Sequence, residues 1–91
     1  MDLLQQARAE IDAVDAEMAA LFERRMQAVA DVVRYKAETG KPVFDAAREA
    51  DVITRNTARL QNEELRPYYT AILQEAMAVS RAYQRDTLGR D

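Results

Sequence analysis

The 91-residue chain contains no histidine, no cysteine and no tryptophan, and only two glycines and two prolines. Lacking cysteine and histidine, it can form no disulfide, Ser-His-Asp triad, thiol nucleophile, imidazole base or zinc site of the usual ligand set. Any chemistry must come from carboxylates, amides, hydroxyls and cations, or from electrostatics alone. A chain this short forms one domain and buries only about 60–65% of the surface its unfolded form exposes. With no covalent or metal staple, stability must come from well-packed helices or from a partner subunit. A basic surplus is also missing. The 13 Lys and Arg stand against 16 Asp and Glu, a net charge of -3, which argues against a nucleic-acid partner. With the polar start MDLLQQARAEI and only short apolar runs, neither a signal peptide nor a membrane span is expected. Absence of cysteine suits a cytoplasmic location, which is the expectation here.

The few glycines and prolines show the organisation. From Asp2 to Thr39 there is neither, and Ala, Glu, Arg, Leu and Met dominate, so one long helix is expected over about 2–39. Gly40-Lys41-Pro42 ends it, Gly as a left-handed cap and Pro as a block to continuation. Val43-Phe44 reads as a short extended link, and Asp45 as the N-cap of a second helix over about 46–60. Gln61 to Glu64 is a polar break. Pro67 sits in the first turn of a third helix over about 66–86, and residues 87–91 are expected to fray. No strand signal competes. The fold class is all-α, a single domain over 1–91.

A helix of some 37 residues would be roughly 55 Å long, whereas a compact chain of this size is roughly 30 Å across. Two short helices cannot cover it, so an obligate dimer is expected, with the long helices packed on each other. The apolar pattern agrees. Leu4, Ala7, Ile11, Val14, Met18, Leu21, Arg25, Ala28, Val32 and Tyr35 follow alternating steps of 3 and 4. A second seam runs through Arg8, Ile11, Asp15, Met18, Phe22, Arg25, Val29, Val32 and Lys36. The residues common to both, Ile11, Met18, Arg25 and Val32, should mark the centre of the buried face.

Charges on that stripe admit two readings. Either Arg8 and Lys36 snorkel at the helix ends while Arg25 pairs with an acid such as Asp15 or Glu49, or several cations converge on a cavity whose counter-ion is an anionic ligand. Arg8 and Lys36 stand roughly 42 Å apart along one helix, so they can share a small ligand only in an antiparallel dimer, with Arg8 reaching across. Eleven Arg against two Lys suits carboxylate recognition, and equally reflects a GC-rich genome. In the second helix Arg48 and Glu49 precede Val52-Ile53 by one turn. They either border the same interior or form a solvated first turn with Asp45 as cap. In the third, Tyr69, Ile72, Leu73, Ala76 and Met77 form the inner face, continued by Ser80, Tyr83 and Gln84. Ser80 and Gln84 thus occupy places where apolar residues are expected, although a helical Ser can bond to its own backbone.

Together these positions resemble the all-α (AroQ-type) chorismate mutases, over nearly the whole chain. The resemblance is carried by Arg8 before IDAVD, by Arg25 in ERR with Lys36 eleven residues later, by KPVFDAARE with Asp45, Arg48 and Glu49, and by Ser80 and Gln84 in SRAYQ. It implies three helices per chain in an intertwined antiparallel homodimer. The implied activity is conversion of chorismate to prephenate by an intramolecular Claisen rearrangement in Phe and Tyr biosynthesis, with no cofactor and no metal. It implies roles as well. Arg25 and the partner chain's Arg8 would bind the two substrate carboxylates. Lys36 and Gln84 would donate hydrogen bonds to the ether oxygen. Glu49 would accept from the ring hydroxyl with Asp45 beside it, Arg48 would line the site and help orient its acids, and Ser80 would assist at a carboxylate. Arg24, adjacent to Arg25 but off the shared seam, is expected to face outward. Three other functions compete: isochorismate-pyruvate lyase or aminodeoxychorismate mutase on the same scaffold, and a non-catalytic helical dimerisation or regulatory module.

Overall fold

The computed structural model describes residues 2–90 as three α-helices and one short 3-10 turn. Helix α1 spans Leu3–Thr39, α2 Ala46–Thr57 and α3 Arg66–Leu88, and the 3-10 turn spans Glu63–Leu65. The all-α expectation therefore holds, and among the described residues there is no strand. Nor is any helix among them long and apolar enough to cross a membrane.

Local chemistry explains the ends of α1. Asp2 accepts from the Gln5 backbone N–H at 2.8 Å, and the Gln5 side chain accepts from the Asp2 N–H at 3.1 Å, a reciprocal capping box. At the other end Gly40 takes φ 74° and its N–H donates to the Lys36 carbonyl at 2.8 Å. Helix α2 begins as expected, with the Asp45 carboxylate accepting from the Arg48 N–H at 3.0 Å. It ends at Thr57, three residues short of the expected 60. Asn56 and Thr57 turn their side chains back onto the carbonyls of Val52 and Ile53, and Arg66 Nε takes the Thr57 carbonyl at 3.1 Å. The Thr57 carbonyl, which a further turn of helix would use, is thus engaged by Arg66.

The C-terminus departs from expectation more clearly. Instead of fraying from Thr87, α3 continues to Leu88 and closes on Gly89 in the left-handed region at φ 70°. Arg90 then donates to the carbonyls of Lys36 and Lys41, each at 3.1 Å. Asp91 lies outside the described residues. Two cations of the first turn region are also tied down: Lys41 lies 5.3 Å over the Tyr35 ring, and Arg90 bridges the turn itself.

The core is small and lies at one end. Val29 and Val33 of α1, Val43 of the link, Val52 of α2 and Met77 of α3 are the buried apolar residues. The face that α1 turns to its own chain therefore runs through 29 and 33, not through the centre of the expected seam. Ile11, Met18 and Val32 remain 56%, 54% and 41% exposed. Helix α3 is rotated in the same sense: Ile72 and Tyr83, expected inside, are exposed, while Met77 and Gln84 are buried. The shape follows. Extents of 54 × 25 × 16 Å and a radius of gyration of 16.3 Å describe a rod, against roughly 12 Å for a compact chain of this length. The accessible surface is 7161 Å², against about 5,400 Å² for a compact monomer of this mass.

Gly40 gives a direct test of the α1 cap. A Cβ there meets nothing within 4 Å, so only the positive φ opposes a side chain. Gly40→Ala should lower stability by roughly 1 kcal/mol, read as a fall in the thermal or urea midpoint with unchanged helical content.

Candidate functional site

The packed end of the rod encloses a cavity of about 270 Å³ between the C-terminal half of α1, the link, the first turns of α2 and the last turns of α3. Arg25, Lys36, Asp45, Arg48, Glu49, Ser80 and Gln84 all line it. These residues come from four stretches of chain. The 3.6-residue period of each helix puts them on one side: Arg25, Val29, Val32 and Lys36 on α1, and Met77, Ser80, Arg81 and Gln84 on α3.

Lys36 is the centre of the arrangement. Its Nζ donates to the Val43 carbonyl at 2.8 Å and to Gln84 Oε1 at 2.7 Å. Gln84 in turn donates from Nε2 to Ser80 Oγ at 3.1 Å. Gln84 is the one buried polar side chain among the described residues, 6% exposed, and both ends of its amide are engaged. Because its oxygen faces the ammonium, its NH2 is turned the other way and keeps a second hydrogen free to donate. Burial lowers the Lys36 pKa from the ordinary 10.5. Asp45 opposes this, Arg90 acts with it, and Glu49 opposes it. Desolvation of the ammonium outweighs the attraction of the two carboxylates.

Glu49 on α2 is paired with Arg81 on α3, whose Nη1 reaches both carboxylate oxygens. Sequence reasoning missed Arg81. The guanidinium expected beside the acids was that of Arg48, but Arg48 turns along α2 toward Asp51 at 3.9 Å, and Asp51 is held more closely by Arg55 at 2.9 Å. Arg48 contributes to Asp45 through its backbone N–H instead. A signal for Arg81 exists in the spacing: it lies four residues after Met77 and three before Gln84, on the stripe those two buried residues define.

Arg25 lines the cavity from an exposed position and forms no ion pair in this single chain, so neither Asp15 nor Glu49 neutralises it. Arg24 beside it is exposed and outside the cavity, as expected. Arg8 is exposed on α1 and stands apart from this group, about 25 Å along the helix axis from Arg25. Chemically, the cavity offers positive charge for anionic groups, a fixed ammonium–amide donor pair, and two acceptor carboxylates, Asp45 and Glu49. Nothing in it forms a proton relay.

Residues 7–85 match the family model described as chorismate mutase type II. Among curated proteins, the T-protein of Haemophilus influenzae is 33% identical over 64 residues, which cover 70% of this chain and 16% of that protein. The chain thus spans a small part of the length of the curated relative it matches. No solved structure matches it.

The lowered Lys36 pKa is open to direct measurement. In an NMR pH titration of the lysine side-chain amines, Lys36 should titrate with a midpoint below 10.5. Replacing Arg90 with Ala should move that midpoint upward, because a repelling charge is removed.

Proposed function

The chain belongs to the chorismate mutase type II family, and on that premise we propose that it converts chorismate to prephenate as part of aromatic amino-acid biosynthesis. The observation that carries this reading is the Lys36–Gln84 pair, a preformed donor set at the floor of a cationic cavity. Chorismate is a dicarboxylate whose enolpyruvyl arm must fold over its ring before the Claisen rearrangement can occur. No proton is transferred and no covalent adduct is required, so the absence of His and Cys is no handicap.

Catalysis then has two parts. The first is confinement. Arg25 would hold one carboxylate, Ser80 would assist at a carboxylate, and Glu49 would accept a hydrogen bond from the ring hydroxyl with Asp45 beside it, fixing the folded conformer. The second is electrostatic. As the C–O bond breaks, negative charge grows on the ether oxygen, where the Lys36 ammonium and the free N–H of Gln84 would donate. Both donors are held in place by Val43, Ser80 and each other, so little reorganisation accompanies the reaction.

A second copy of the chain would complete the site. Support comes from the exposed apolar stripe of α1 and from the unpaired Arg25 at the rim. In an intertwined antiparallel homodimer, Arg8 of one protomer would reach the cavity of the other and take the second carboxylate. An isologous dimer places two such shared sites in each assembly.

Incubation with chorismate should show loss of its ultraviolet absorbance with prephenate as product. Formation of salicylate and pyruvate from isochorismate alone would point instead to the lyase reaction. Lys36→Ala should lower kcat by about 10²–10³-fold with the helical content intact. Mixing Arg8→Ala with Arg25→Ala chains, each poorly active alone, should restore roughly a quarter of full activity through heterodimers with one intact site. No recovery would sink the shared-site reading. The rate should be nearly flat from mildly acidic to mildly basic pH, because the Gln84 amide donates at any pH. It should fall on the alkaline side as Lys36 loses its proton below the ordinary 10.5.

A further inference from the structure

Arg81 follows Ser80 directly and precedes Gln84 by one turn, and its guanidinium is part of the cavity wall. It has two partners, each from a different stretch of chain. Nη1 meets both oxygens of Glu49 on α2, and the guanidinium carbon lies 5.6 Å from the centre of the Phe44 ring on the link. The Arg81 and Glu49 side chains are only 23% and 21% exposed, so the pair is largely removed from water, where charge effects are strong. A carboxylate offers about four lone-pair sites. One guanidinium nitrogen leaves acceptor capacity on both oxygens for a donor inside the cavity.

The charge of the wall gives this contact a further meaning. From this chain Arg25, Lys36, Arg48 and Arg81 supply four positive charges and Asp45 and Glu49 two negative ones, and Arg8 of a second copy would add one more. The positive excess suits a ligand with two carboxylates, and because Arg81 offsets Glu49, no uncompensated negative charge faces its ring. If Arg81 were neutral, Glu49 would stand uncompensated. Such a wall suits a dicarboxylate whose ring carries an ammonium group in place of the hydroxyl. An ammonium set against Glu49 in the present cavity would share that carboxylate with a guanidinium already on it.

We propose that Arg81 is a positioning and specificity-determining residue: by orienting and offsetting Glu49, it makes that carboxylate an acceptor for a neutral hydroxyl and disfavours an ammonium at the same place. The inference rests on the reading above in which Glu49 meets the ring hydroxyl of chorismate. Arg81 acts through Glu49 and need not touch the substrate.

The test measures KM and kcat for chorismate together with the inhibition constant of aminodeoxychorismate as a competitor. The chains compared are the wild type, Arg81→Met, Arg81→Gln, two neutral replacements of different shape, and Arg81→Lys. The neutral variants should lower kcat/KM for chorismate and reduce the ratio of the amino compound's inhibition constant to KM by at least about tenfold. Arg81→Lys keeps the charge without the planar fork and should recover most of that ratio. In a Glu49→Gln background, Arg81→Met should leave the ratio unchanged. An equal loss for both ligands, accompanied by a lower melting temperature, would make Arg81 a purely structural residue and overturn the proposal. So would unchanged constants, or failure of both neutral variants to fold. A wild-type chain that leaves chorismate untouched would overturn the parent reading as well, which separates the two failures.

Discussion

One ammonium group holds the working end of this molecule together. Lys36 is the last basic residue of α1, and its Nζ bonds to a carbonyl of the link and to the amide of Gln84 on α3. The end of α1, the link seven residues on and α3 forty-eight residues on are thereby fixed around a single charge. A partly buried cation is unfavourable unless it is well solvated by protein groups, and the carbonyl, the amide oxygen and the nearby Asp45 and Glu49 perform that service. The same groups form the cavity. Stabilising Lys36 and shaping the site are therefore one requirement, which explains why a chain with so small an apolar core can position a polar site at all.

A second constraint is geometric. A 37-residue helix belongs to a chain whose remaining helices have 12 and 23 residues, so one end of the rod is packed and the other is not. Both sides of the cavity reflect this division. Its closed side is built from the protomer's own Val43, Val52 and Met77, while its open side meets Arg25 at the point where the packed part of α1 begins. The charge left over at that rim and the apolar stripe that continues from it face the same way.

Much of this was legible in the sequence because the relevant signals are local. Gly40, Pro42, Asp45 and Pro67 act on their immediate neighbours, and the starts of α2 and α3 and the end of α1 follow from them. The site residues on α1 and α3 could be placed on common faces by period alone, since 25, 29, 32 and 36 share one stripe and 77, 80 and 84 share another. What was not legible depends on tertiary choice. The end of α2 is set by Arg66, nine residues further on, and the order of the chain beyond the Gly89 cap by Arg90 reaching back to α1. Arg81 was hidden for a related reason. Composition rules treat an arginine on a helix near its end as solvated, and only the rotation of α3, which buries Met77 and Gln84 and exposes Tyr83, turns position 81 inward. Which of two adjacent faces a helix buries is decided by its neighbours.

The exposed half of α1 has a consequence for how the chain keeps its shape. Every residue from Leu3 to Arg25 is exposed in the single chain, so the helix there is held by its capping box, by side-chain propensity and by continuity with the packed turns beyond. Most of the stability of such a helix in water comes from packing of its apolar face, not from propensity. One continuous helix therefore has two kinds of support: a C-terminal segment anchored through Lys36, and an N-terminal segment whose order depends on what covers it. Amide exchange along α1 would trace a gradient with no break in the secondary structure to mark it, and the position at which protection sets in would show how far the covering of the helix extends.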